Sequence, residues 1–190
     1  MTFDFVAARQ NMLDSQVRVN DVTDLSIHLA MGRIARESVC PADKPWLAYA
    51  DNEIEYAPGR WLLRPRNAAK LLQAARPVSG ECALAIVAPY LALVMEDIGL
   101  TVERLDEGDL KTAPAGPYDL IVCEAGIGEV PVSWPAALAV GGRMAVVVRN
   151  GPIGKVRLYR RAERETGYRE VFDATPPMLA ELRPEVGFAF

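Results

Sequence analysis

Few residue types in this chain could do chemistry, and their spacing narrows the choice further. Its only histidine, His28, lies in a helical apolar pattern with no partner in view, so it reads as a core residue. A serine–histidine–aspartate arrangement has no histidine to use. The cysteines Cys40, Cys82 and Cys123 are widely spaced and form no C-x-x-C pair, so no zinc site is expected. They suit a reducing cytoplasm, with Cys82 and Cys123 placed as small hydrophobes inside predicted core strands. Arg157, Arg160, Arg161 and Arg164 cluster, but Glu163, Glu165 and Glu170 dilute them. With a net charge of −4 they read as a solvated hairpin face rather than a phosphate-binding one. The glycines of EAGIG after a strand are a weak phosphate-loop signal. The remaining candidates, Tyr90 and Asp106, flank one helix.

The element that positions them is Glu81 to Asp106. Residues 82–87 form a short apolar run, the pattern of a parallel strand buried on both faces. Pro89 suits a helix's first turn, where its missing N–H is not needed. Leu91, Val94, Met95 and Ile98 then recur at helical spacing up to the stop at Gly99. Thr101 to Leu105 returns as a strand, with Asp106 at its carboxyl end. This is the first β-α-β unit of a doubly wound sheet, where such folds bind nucleotides and nucleoside cofactors. A ligand-cradling turn there calls for glycine, because the backbone must adopt positive φ and approach closely. Val87, Ala88 and Pro89 occupy it instead.

The rest of the chain supplies one domain's worth of core. Its 190 residues are about half apolar, with mixed charge and no low-complexity stretch, so disorder is not expected. No apolar run reaches the roughly 20 residues that span a bilayer, and the N-terminus has no signal-peptide pattern. Residues 3–16 predict a helix with Phe5, Ala8 and Met12 on one face. Asp21 or Thr23 is placed to cap a second helix, starting near Asp24, that turns Leu25, Leu29 and Ile34 inward. Further on, Tyr118 to Cys123 predicts a central strand, PAALAV a short helix ending at Gly141-Gly142, and Met144 to Arg149 another strand. Val156 to Ala162 and Tyr168 to Asp173 predict a hairpin turning near Thr166-Gly167, and VGFAF a closing strand.

ARQNMLDSQVRVNDVTD (Ala8 to Asp24), AYAD (Ala48 to Asp51) and WLLRPRNAAKLLQ (Trp61 to Gln73) together resemble the amino-terminal region of the protein-L-isoaspartate O-methyltransferase family. The likeness is strongest to its bacterial branch carrying DSQVR-x-NDVTD. It continues through EAGIGEVP (Glu124 to Pro131), LAVGGRMAVVV (Leu138 to Val148), FDATPPML (Phe172 to Leu179) and VGFAF. The resemblance implies an S-adenosylmethionine-dependent, Rossmann-like α/β fold with an N-terminal helical appendage: residues 1–76 the helical region and substrate-side loop, 77–190 the methyltransferase domain. It implies S-adenosylmethionine as methyl donor, no metal, an isoaspartyl peptide or protein as partner and a cytoplasmic location. A carboxylate is already anionic near neutral pH, so methyl transfer to it is mainly a matter of alignment.

The chain departs from the family in three places. The segment aligned with the family's Gly-x-Gly-x-Gly ends at Pro89 and holds no glycine, so the turn reads as vestigial. Asp106 matches the acid that hydrogen-bonds the cofactor ribose, and Tyr90 follows the turn; both are cofactor-binding positions only if the cofactor binds. Where many members place a serine two residues before the helix-opening proline, here Pro65, this chain has Leu63. Arg64 and Arg66 beside it read as solvated. Finally, Glu107 to Pro117 is too short and too rich in Gly and Pro for the family's next helix and strand. The fold is therefore expected to be shortened by about one helix and one strand, leaving Thr101–Leu105 as a sheet edge and one face to be hidden by loops or by a second copy pairing as a homodimer.

Three readings follow. One is a non-catalytic relative, a binding or assembly module with no catalytic residue. A second is an active carboxyl methyltransferase, repairing isoaspartyl residues, that grips S-adenosylmethionine differently. The third is a protein that recognises isoaspartyl segments without modifying them.

Overall fold

The computed structural model describes residues 3–184; the strand expected at VGFAF lies outside the described residues. The centre is a six-stranded sheet in the order β4 (Thr101–Leu105), β3 (Cys82–Ile86), β5 (Tyr118–Ile127), β6 (Leu138–Val148), β7 (Lys155–Arg161), β8 (Thr166–Asp173). The first four strands run parallel, and β7 and β8 join antiparallel. A separate hairpin pairs β1 (Ile54–Ala57) with β2 (Arg60–Leu62). Among the described residues β4 is an edge, as the shortened crossover requires.

One face of the sheet carries α1 (Phe5–Met12), α2 (Leu25–Arg33), α3 (Pro65–Ala75) and α4 (Pro89–Ile98). A single apolar cluster runs from Met12, Ile27 and Leu71 through Tyr90 and Met95 to Leu120 and Val147. The residues of the diagnostic N-terminal segment build this layer. Asp24, not Asp21 or Thr23, caps α2 by accepting the Ser26 N–H at 2.9 Å. The Gln73 side chain of α3 accepts the Thr23 and Asp24 N–H groups at 2.6 and 3.1 Å. His28 is buried, and its Nε2 donates to the Val22 carbonyl at 2.7 Å.

Several expectations are corrected. In α2 the inward residues are Ile27, Ala30 and Met31, whereas Leu25 and Leu29 are 74% and 60% exposed. The helix is apolar nearly all round, so spacing alone does not select its buried side. Cys82 opens β3 and is exposed, while Cys123 is buried and its thiol is pushed up to about 12 by that burial. β5 runs on through Glu124-Ala125-Gly126-Ile127, with Gly126 opposite Val147, so all of EAGIG but its last glycine is strand rather than a phosphate loop. The short helix α5 is only Ser133–Ala136, and β6 begins at Leu138, crossing Gly141 and Gly142. The β7–β8 turn is Ala162–Glu165, closed by the Ala162 N–H to the Glu165 carbonyl at 2.8 Å.

The second face is covered without the missing helix. Leu110, in the loop that replaces it, is buried against Trp134 of α5, whose Nε1–H donates to the Leu110 carbonyl at 2.9 Å. The Ser133 hydroxyl accepts the Ala113 N–H and donates to the Lys111 carbonyl. A loop can do this because two anchors fix it to α5 and one leucine fills the gap.

Candidate functional site

The β3–α4 turn keeps a left-handed backbone without glycine. Val87 sits at φ +44°, a conformation that costs an L-residue roughly 1–2 kcal/mol. Its side chain is fully buried in the second core cluster, and its N–H donates to the Leu105 carbonyl at 3.0 Å. Burial and that hydrogen bond hold the strained turn in place.

Behind it, the start of α4 is closed by the protein itself. The first N–H groups of a helix have no partner within the helix, which makes its N-terminus a natural place for an anion. Here Pro89 has no N–H and Leu91 donates to the Glu124 carboxyl at 3.2 Å, while the Ala88 and Tyr90 N–H groups lie near the Asp106 and Glu124 carboxyls. Glu124 is completely buried, and among the described residues its Oε1 has no hydrogen-bond partner. Burial pushes its carboxyl up to about 7, against the opposing pull of Arg36 and these N–H groups. The equally buried Arg36 lies 3.9 Å from Glu124, with its guanidinium 4.5 Å from the centre of the Tyr90 ring. It donates to the carbonyls of Ala48 and Leu63. Tyr90, Arg36 and Glu124 thus form a fully buried cluster beside the start of α4.

Asp106 faces elsewhere. It borders an open cavity of about 380 Å³ lined by Tyr56, Arg60, Pro89, Glu107 and Glu181. Burial raises its carboxyl above the ordinary value, only partly offset by the Ala88 N–H and Arg104. Arg60 is held by Glu181 at 2.6 Å, which leaves the cavity acidic. The two sequence-derived positions therefore do not share an opening: Asp106 borders one and Tyr90 is sealed from solvent. Leu63 is buried too, while Arg64 and Arg66 are paired with Glu53 at 2.6 Å and Asp51 at 3.5 Å. Among the described residues no group of three histidine, cysteine or carboxylate side chains could hold a metal.

Sequence reasoning missed Glu124 and Arg36. For Glu124 there was a signal, a lone acid directly after the apolar run YDLIVC; Arg36 carried none. The β3–α4 turn presents no glycine cradle to a nucleoside cofactor. Val87 and Ala88 are buried, Pro89 offers no donor, and the Leu91 N–H is taken by Glu124.

The fold is that of the S-adenosylmethionine-dependent methyltransferases. A Plasmodium falciparum protein described as an isoaspartyl methyltransferase, solved with S-adenosyl-L-homocysteine, superposes with a TM-score of 0.74 at 14% identity, covering 95% of this chain and 100% of that one. Another solved protein-L-isoaspartate O-methyltransferase gives a TM-score of 0.77 at 18% identity, over 92% of this chain and 67% of that one. Among curated proteins, the protein-L-isoaspartate O-methyltransferase of Methylorubrum populi is 30% identical over 96% of this chain and 98% of its own length. Protein-L-isoaspartate O-methyltransferase 1 of Rhodopseudomonas palustris is 28% identical over 94% and 82%. No protein-family model matches the chain. The chain belongs to the protein-L-isoaspartate O-methyltransferase family.

Proposed function

We propose that this chain is a non-catalytic member of its family, a binding or assembly module whose cofactor position is filled by its own side chains. One observation carries the reading: at the start of α4 Pro89 has no N–H and the Leu91 N–H is taken by Glu124, with Arg36 and Tyr90 fully buried beside it. On this reading Tyr90 and Asp106 are vestigial cofactor positions and no residue is catalytic. Residues 1–76 form the helical and substrate-side region and 77–190 the shortened methyltransferase domain. The partner is an isoaspartyl peptide or protein in the cytoplasm, and the outer edge of β4, unpaired among the described residues, is where a homodimer would form. No described helix is long and apolar enough to cross a membrane.

The second reading, an active carboxyl methyltransferase repairing isoaspartyl residues, has its own support. The relatives carry that name, and the acidic cavity beside Asp106 suits a ribose and a cationic sulfonium. Tritiated S-adenosylmethionine, incubated with the protein and an isoaspartyl peptide, separates the two. The first reading expects no base-labile methyl ester above the no-enzyme background. Turnover that depends on the isoaspartyl linkage would overturn it in favour of the second.

A further inference from the structure

The face formed by α3 and the β7–β8 hairpin holds two adjoining cavities, of about 620 and 500 Å³, that share Ala74, Arg76 and Arg169. Their apolar floor is Leu158, Val171 and Phe172. Lys70, Arg76, Arg160 and Arg169 stand around it. None of the four has a carboxylate within 4.0 Å among the described residues, although the whole chain has a charge of −4. Lys70 lies 4.8 Å from the centre of the Phe172 ring. Two carboxylates border the cavities: Asp24, occupied in capping α2, and Glu165 in the hairpin turn. Arg76 is exposed and ends α3 at φ +52°, a position where glycine would cost less.

One side of this trough is open sheet. Among the described residues β8 is the edge strand of the sheet, and its residues 166–170 are exposed. Its outer backbone N–H and C=O groups are unpaired among the described residues, a template for an added strand. An extended segment pairing with β8 would place alternate side chains over the apolar floor and its acidic groups among the unpaired cations.

We infer that the α3–β8 trough is a docking surface for an extended acidic peptide of a partner protein, taken up as a further strand on β8. The trough shares no residue with the Val87–Tyr90 turn, so the inference stands whether or not the cofactor binds. The test titrates the isotope-labelled full chain with a short peptide alternating glutamate and valine, followed by amide NMR shifts. The expected shifts are confined to β8 and to residues 70–76. Raising salt from about 50 mM to about 300 mM should weaken binding about tenfold. Arg76→Glu combined with Arg169→Glu should weaken it by about tenfold or more with an unchanged Tm; Arg160→Gln alone should do so about threefold, which keeps the test informative if the double variant unfolds. Four results would overturn the inference: no shifts at millimolar peptide, an equal response to a lysine–valine peptide, tighter binding of oligouridine RNA, or a dimer on this face that the peptide does not displace.

Discussion

At Val87 two costs compete. The left-handed backbone is unfavourable for valine, while its buried side chain contributes about 1.5–3 kcal/mol. Replacement by alanine keeps the strain and loses packing; replacement by glycine loses packing but relieves the strain. Val87→Ala should therefore be less stable than Val87→Gly by about 1 kcal/mol, the reverse of the usual order, as read from urea denaturation. An alanine variant more stable than the glycine one would mean that Val87 is not left-handed. Glu124 gives a second prediction. Its carboxyl is raised from an ordinary 4.5 to about 7 by burial, with Arg36 pulling the other way. Between those values the folded chain holds more protons than the unfolded one, so this group's contribution to stability falls as pH rises from about 4.5 to about 7. Glu124→Gln should flatten that part of the Tm–pH profile; an unaltered slope would place the titration elsewhere.

At the scale of elements, Arg143 ties α3 to the sheet. It donates to the Ala75 and Arg76 carbonyls at the helix's C-terminal end, and to Glu81 at 2.7 and 2.8 Å. A planar fork can reach all of these and a single ammonium cannot. Arg143→Lys should cost about 2 kcal/mol, with faster amide exchange at the end of α3; an unchanged Tm would contradict this. Trp134→Phe keeps the buried ring but removes the donor to Leu110, so exchange should quicken in residues 109–113 while β5 stays protected. The β3-α4-β4 unit was legible because an apolar run, a first-turn proline and a terminal glycine agree. Other boundaries were not legible, for physical reasons. The helix α2 carries apolar residues on every side, and β5 and β6 pass through glycines that usually interrupt strands. Glu124 belongs to the same blind spot: the strand was expected to end at Cys123, so its acid was not aimed at the start of α4.

At the scale of the molecule, family membership was legible in the N-terminal segment, whose polar residues the structure uses to cap α2 and tie it to α3. The consequences of the three departures were legible only in part. The expected edge at β4 is there among the described residues, and the face left by the lost helix is hidden by a loop, one of the two covers expected, through Leu110 packed on Trp134. Glycine loss at the turn did not abolish its left-handed backbone; Val87 retains it at a cost. Glu124, Arg36 and Tyr90 are buried beside the start of α4, and an open cavity lies beside Asp106. The most direct measurement of this account is calorimetric titration of the full chain with S-adenosylmethionine and S-adenosylhomocysteine. The account predicts no heat of binding and no rise in Tm at millimolar ligand. Micromolar binding of either ligand would contradict it.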